Sequence, residues 1–236
     1  MDTLNIALDG PGGAGKSTIA KAVAARLGIV YVDTGALYRT IGLYVRRKNV
    51  DPSACAAVEA LLPEISLEIQ YEADGQQVYL NGERVGDAIR TPEMSRYASA
   101  VSVHPPVRAY LLETQRAIAR RTSVVMDGRD IGTVILPDAQ VKIFVTASPE
   151  CRAERRYREL RDKGIETTLA AVLAEMNERD TRDSTRELAP TVAAPDAFCF
   201  DNTGYTLEES VAFVLGVIAG KTGVLPPPRG EGGPNA

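Results

Sequence analysis

The sequence predicts an open α/β fold, a five-stranded parallel sheet with helices on both faces. Three observations carry that expectation. Short, apolar, β-rich runs recur at residues 4–8, 29–32, 123–126, 141–145 and 197–200, as expected of strands buried on both faces. Helical periodicities separate them, and alternating strand and helix signals imply a doubly wound sheet with ligands beyond the carboxyl ends of its strands. Hydrophobic residues make up 44% and charged residues 25% of 236, which argues against disordered, collagen-like and disulfide-scaffold classes and leaves room for one sizeable core.

The elements follow in order. The first run leads through a Gly-rich stretch into a helix whose Ile19, Val23 and Leu27 share one face. After the second run, Asp33 and Thr34 open another helix. The rhythm then breaks: Ile65, Leu67, Ile69 and Tyr71 alternate with polar residues, Asp74-Gly75 offers a hairpin turn, and Val78 and Leu80 resume before Asn81-Gly82, so antiparallel structure is inserted here. Thr91-Pro92 and Ser148-Pro149 read as helix starts, and His104-Pro105-Pro106 as the end of one helix and the beginning of the next. Val107, Leu111, Thr114 and Ile118 line one helix, Leu169, Val172, Leu173 and Met176 a second, and Val211, Val214, Leu215 and Ile218 the last. The sequence reads as a single domain over residues 1–223. Residues 224–236, rich in Pro and Gly, form a tail expected to hold no fixed conformation.

Lys and Arg total 27 against 31 Asp and Glu, a formal charge of −4 that offers no general attraction to nucleic acid or anionic lipid. No secretory signal or membrane span is read at the N-terminus, where Asp2 precedes the glycines. Cys55, Cys151 and Cys199 are odd in number and lack metal-ligand spacing, which favours buried thiols in a reducing compartment and hence a cytoplasmic location. With one histidine, His104, no Ser-His-Asp chemistry is supported.

Gly10-Pro11-Gly12-Gly13-Ala14-Gly15-Lys16-Ser17 matches the P-loop spacing and lies between a predicted strand and a predicted helix, which makes this a P-loop NTPase fold. Backbone N–H groups must wrap a polyphosphate at short range without Cβ obstruction, and the helix N-terminus adds a favourable dipole. Lys16 supplies positive charge to the β- and γ-phosphates, and Ser17 can offer its hydroxyl to Mg²⁺. No guanine-reading Asn-Lys-x-Asp and no Leu-Ser-Gly-Gly-Gln segment occurs. The loop alone establishes nucleotide binding and not which reaction follows.

At the other strand ends, Asp33-Thr34 with Arg39 one turn later reads either as an ordinary helix cap or as an anion pocket. Asp127-Gly128-Arg129-Asp130 leaves the third run; Asp127 is placed to reach Mg²⁺ through water, and Arg129 to bind a phosphate bidentately. Residues 151–188 hold cations and carboxylates in equal number. Two readings stand: solvated i, i+4 pairing on helix surfaces, or a mobile Arg-rich lid that screens charge on a transferring phosphoryl group and excludes water.

Together these motifs resemble the bacterial cytidylate kinases of the nucleoside monophosphate kinase group. The resemblance spans roughly residues 4–221 and rests on the loop above, Asp33-Thr34-Gly35-Ala36-Leu37-Tyr38-Arg39, Ile89-Arg90-Thr91, Asp127-Gly128-Arg129-Asp130-Ile131-Gly132-Thr133-Val134 and Glu178-Arg179-Asp180-Thr181-Arg182-Asp183. It implies transfer of the ATP γ-phosphoryl group, with Mg²⁺, to CMP or dCMP. Gly10, Pro11, Gly12, Gly13, Ala14, Gly15, Lys16, Ser17 and Thr18 would hold ATP, with Ser17 and Asp127 at the metal. Thr34, Arg39 and Arg129, joined by Arg186, would hold the CMP phosphate; Asp183 and Arg179 the ribose; Ser99, Arg108 and Asp130 the cytosine, whose N4 donor suits a carboxylate. Lys16 and Arg129 would act on the transferring group with the lid arginines Arg155, Arg158 and Arg182. The resemblance also implies an enlarged monophosphate-binding region over about 34–110, containing the insertion, and a lid over about 151–188. Thr34 stands where some relatives have Ser, and position 17 varies between Ser and Gly in the family. The tail matches nothing. A monomer acting on free nucleotides is the default, against a UMP kinase, a nucleotide sensor without turnover, or a nucleic-acid-stimulated ATPase.

Overall fold

The computed structural model describes residues 3–72 and 75–224. Its elements are β1 (Asn5–Asp9), α1 (Lys16–Leu27), β2 (Val30–Asp33), α2 (Thr34–Arg47), α3 (Cys55–Leu61), β3 (Leu67–Glu72), β4 (Gly75–Leu80), β5 (Glu83–Arg84), α4 (Pro92–Val101), α5 (Pro105–Arg121), β6 (Val124–Asp127), β7 (Val141–Thr146), α6 (Pro149–Asp162), α7 (Leu169–Thr185), β8 (Phe198–Asp201) and α8 (Leu207–Thr222). The five predicted strands form one parallel sheet in the order β2-β6-β1-β7-β8. Each ends one residue later than its apolar run, so β1, β2, β6 and β8 all finish on aspartate: Asp9, Asp33, Asp127 and Asp201.

The sheet is covered on both faces because its central strand is apolar on both. Ile6 and Leu8 pack with Ile19, Val23, Val211, Val214 and Ile218 under α1 and α8. Ala7, between them, packs with Val32, Met126, Ala119 and Ile131 on the opposite face. A separate core joins α2, α4 and α5 to the insertion: Leu37, Ile41, Val78, Leu80, Met94 and Leu111 are buried together. Helices α6 and α7 share only a small cluster around Ala153, Leu160 and Val172.

The insertion is the antiparallel sheet β3-β4-β5. Asn81 and Gly82 both take positive φ, 51° and 81°, which is what a two-residue turn between β4 and β5 demands. Thr91 and Ser148 cap α4 and α6 through their side chains, as expected. Asp74 and residues 225–236 lie outside the described residues, and with them the predicted Asp74-Gly75 turn and nearly all of the tail. Among the described residues no helix is long and apolar enough to cross a membrane.

Three expectations need correction. Strand β8 is buried at Phe200 alone, because it is an edge strand covered only on the α8 side. For the same reason Cys199 is exposed; Cys55 and Cys151 are half-buried, so the thiols are free but not core residues. Ile65 precedes β3 rather than belonging to it, and Tyr71 and Leu169 point to solvent, since the hairpin and the start of α7 project beyond the cores that the rest of their stripes join.

Candidate active site

The donor loop forms where β1 meets α1. Gly10 has φ 139°, and a Cβ there would lie 2.0 Å from the Val145 carbonyl oxygen; Gly13, at φ 72°, would press Met176 and Arg152. Only glycine fits this path. Gly15 caps α1 without a side-chain hydrogen bond, which leaves the first N–H groups of the helix for an anion. Lys16 Nζ, almost fully buried, donates to the Pro11 carbonyl at 2.7 Å. Burial and the nearby Arg129 guanidinium hold its pKa well below the usual lysine value, opposed by Asp127 and Asp9.

Beside the lysine, Ser17 Oγ donates to Asp127 Oδ2 at 2.6 Å, and the Tyr31 hydroxyl donates to Oδ1 at 2.9 Å. The two predicted metal-site residues are therefore neighbours. Burial and the adjacent Asp33 raise the Asp127 pKa, while the Ser17 hydroxyl and Lys16 oppose the rise.

The loop that leaves β6 is held by a residue with no predicted role. Asp9, the last residue of β1, accepts the N–H groups of Ile131 and Gly132, both at 2.7 Å, and so fixes a single π-turn over Ile131–Ile135 directly behind Arg129 and Asp130. Its burial outweighs those two hydrogen bonds and lifts its pKa to about 6.

On the acceptor side, Arg39, Arg129 and Arg179 converge. Each has a buried Nε without a hydrogen-bond partner, and burial, with Arg129 close by, lowers the Arg179 pKa to about 10. Asp183 lies 3.5 Å from Arg129 and 3.6 Å from Arg179. Asp33 caps α2 at Ala36 N and accepts from both Arg39 and Arg90, at 2.9 and 3.0 Å. Burial alone would raise its pKa; the two guanidiniums outweigh that and hold it below the usual range. The buried Thr34 hydroxyl donates to the Asp127 carbonyl at 2.8 Å, locking the ends of β2 and β6 together.

A deeper pocket holds the residues expected at a base. Asp130, 3% exposed, pairs with Arg108 and lies 4.0 Å from Arg186. Arg108 also reaches the Ser102 carbonyl at 3.2 Å and lies over the Tyr38 ring. Ser99, buried on α4, is one turn before Ser102, whose hydroxyl accepts from Arg186 at 3.2 Å. Burial raises the Asp130 pKa against the pull of Arg108, Arg186 and Arg129.

The cation-rich segment divides by helix face. Arg158 and Arg182 lie on exposed faces of α6 and α7, opposite Glu154 at 2.8 Å and Glu178 at 4.0 Å. Arg155 instead turns inward and donates to Asn202 Oδ1 and carbonyl oxygen at 3.0 and 3.2 Å, while Asn202 Nδ2 donates to Ala14 O of the donor loop at 2.9 Å. Arg152 donates to Gly12 O at 3.1 Å and pairs with Asp180. The inward Arg152 and Arg155 and the solvent-facing pairs of Arg158 and Arg182 thus lie on different faces of the segment.

Sequence reasoning gave no role to Asp9, Tyr31, Gln76, Arg90, Arg152 or Asn202. Arg90 and Arg152 stand in a quoted motif and in the cation run, and Asp9 abuts the glycines. For Tyr31, Gln76 and Asn202 no local signal exists.

Residues 6–219 match the family model described as Cytidylate kinase. The chain is 46% identical over 213 residues to a cytidylate kinase of Fervidobacterium nodosum, covering 90% of this chain and 95% of that one. It is 47% identical over 216 residues to a cytidylate kinase of Thermosipho melanesiensis, covering 92% and 97%. The solved structure of an uncharacterized protein from Eubacterium ventriosum shares the fold at a TM-score of 0.50 and 14% identity, over 92% of this chain and 98% of its own.

Proposed function

The chain belongs to the cytidylate kinase family, and we infer from its site how it moves the γ-phosphoryl group of ATP to CMP or dCMP. The products are ADP and CDP or dCDP. Because the acceptor is itself a phosphate, the attacking oxygen needs no general base, and catalysis rests on alignment and charge screening without a covalent enzyme intermediate.

In this reading the backbone N–H groups of residues 10–18 wrap the ATP phosphates, and Lys16 leaves Pro11 O for them. Thr34, Arg39 and Arg129 hold the CMP phosphate, with Arg186 joining them. Arg179 and Asp183 meet the ribose; Ser99, Arg108 and Asp130 meet cytosine. Arg155, and Arg158 and Arg182 from the outer faces, complete the lid. A hard cation would suit the all-oxygen pair Ser17 and Asp127, held by the Ser17 hydroxyl and by Asp127 through water. Mg²⁺ there supplies charge neutralisation on the phosphate oxygens.

One observation carries the assignment: three guanidiniums converge, close to Lys16, in one crevice between the donor loop and α2, and each has a buried Nε with no hydrogen-bond partner. Asp33 and Asp183 answer part of this charge, and a bound phosphate would supply the hydrogen bonds that the three Nε groups lack. The acidic balance supports action on free nucleotides rather than on nucleic acid, and the free thiols fit a cytoplasmic location. A ligand joining adenosine to cytidine through five phosphates tests the arrangement. It should bind at least 100-fold more tightly than ATP or CMP alone; binding no tighter than ATP overturns the single-crevice reading.

A further inference from the structure

We propose that Gln76, at the base of the inserted hairpin, is a positioning residue for the acceptor phosphate site and sets CMP affinity through Asp33. The inference rests on the reading of Arg39 as a ligand of the CMP phosphate.

Strand β2 is the free edge of the parallel sheet, so the backbone N–H and C=O of Asp33 have no neighbouring strand on their outer side. The Gln76 amide takes that place. Its Oε1 accepts the Asp33 N–H at 2.8 Å and its Nε2 donates to the Asp33 carbonyl at 3.2 Å. One side chain therefore does what a single residue of an added strand would do. From the far end of the insertion, Arg90 reaches the Asp33 carboxylate at 3.0 Å, on the same oxygen that Arg39 uses at 2.9 Å. Asp33 is thus gripped at its backbone by β4 and at its side chain by the segment after β5.

The same strand is packed into the helix that carries Arg39. Val78 and Leu80 of β4 are buried with Leu37 and Ile41 of α2, so hairpin and helix form one body. Gln76 is its hydrogen-bonded tie to the end of β2. Without that tie the hairpin and α2 keep their apolar contacts but lose the register of Asp33, and with it the aim of the Arg39 guanidinium. Misplacing an aligned charged group by a fraction of an ångström weakens binding without removing the group.

The test uses the whole protein and steady-state kinetics with CMP and ATP varied separately. Gln76→Met keeps length and packing but neither hydrogen bond, and by misaligning Arg39 it should raise the KM for CMP about tenfold. The KM for ATP should stay within about twofold. Gln77→Met, which removes a bond to Arg84 within the hairpin, should leave both constants unchanged. Arg39→Ala should raise the KM for CMP further, and adding Gln76→Met to it should change that value less than about twofold, because the two act through one group. If Gln76→Met leaves the KM for CMP unchanged while Arg39→Ala raises it, the proposal fails and the reading of Arg39 stands. An equal rise in both constants, or an equal effect of Gln77→Met, makes Gln76 structural and also overturns it. If Arg39→Ala leaves the KM for CMP unchanged, the acceptor reading fails, and the proposal with it.

Discussion

Replacing Asp130 with asparagine tests base recognition with almost no change of shape. The carboxylate is 3% exposed and pairs with Arg108, with Arg186 at 4.0 Å. Removing one partner of a buried ion pair costs about 3–5 kcal/mol, and asparagine keeps one acceptor oxygen, so a loss near the low end, about 3 kcal/mol, is expected. For a chain of this size that lowers Tm by about 6–12 °C. Catalysis should change in a way that this loss of stability does not mimic. The N4 amino group of cytosine donates to a carboxylate, a charge-assisted bond of about 1.5–3 kcal/mol, or about 10–150-fold in kcat/KM. Uracil offers O4 at that position, which the carboxylate repels and the asparagine NH₂ can meet. Coupled assays of ADP formation with CMP, dCMP and UMP, run well below the variant's Tm, should show the first two falling and the third holding or rising. If Tm falls while the CMP-to-UMP ratio stays as it was, Asp130 is structural and the base is read elsewhere.

Other consequences are equally direct. Gly10→Ala drives a Cβ to 2.0 Å from the Val145 carbonyl; it should destabilise the fold by several kcal/mol, seen as a drop in Tm or loss of soluble protein. Asp9, with a pKa raised by burial to about 6 from 3.8, carries an unfavourable charge above pH 6. The folded state takes up the proton first, so the stability this group adds is full below about pH 4 and lost as pH rises through 6, a span of roughly 3 kcal/mol. Thermal melts of wild type and Asp9→Asn across pH 4.5–7.5 should show wild type gaining on the variant as pH falls, and a constant difference would contradict the linkage. Asn202→Ala removes the strut to Ala14 O and one of the two hydrogen bonds that hold Arg155; the KM for ATP should rise about fivefold to tenfold with the KM for CMP unchanged.

What local chemistry dictates was legible in the chain. Short, apolar, β-rich runs marked the strands of the parallel sheet, and Thr91, Ser148 and Asn81-Gly82 marked two helix starts and a turn, because caps and tight turns are made by neighbouring residues. The donor loop was legible for the same reason. Contacts across long separations were not. The π-turn over Ile131–Ile135 depends on a carboxylate 122 residues earlier, and the tie from Gln76 to Asp33 spans 43 residues between segments with no shared pattern. Charge counting over 151–188 could not separate Arg155 from Arg158, since three residues along a helix decide whether a guanidinium meets the donor loop or solvent. Cys199 was misjudged because an apolar run does not reveal that its strand will lie at an edge.

The aspartates that end β1, β2 and β6 give the crevice a negative floor beneath its arginines. Each is already answered from within the protein: Asp9 by two amides, Asp33 by Arg39 and Arg90, Asp127 by the Ser17 and Tyr31 hydroxyls. At Arg39 an arriving phosphate would therefore compete with Asp33, and its net attraction there is a difference between two pairings. Departure of the nucleoside diphosphate is eased by the same exchange, since the vacated guanidinium has a carboxylate to return to. A site built this way trades grip for release, and the trade is written in the last residue of β2.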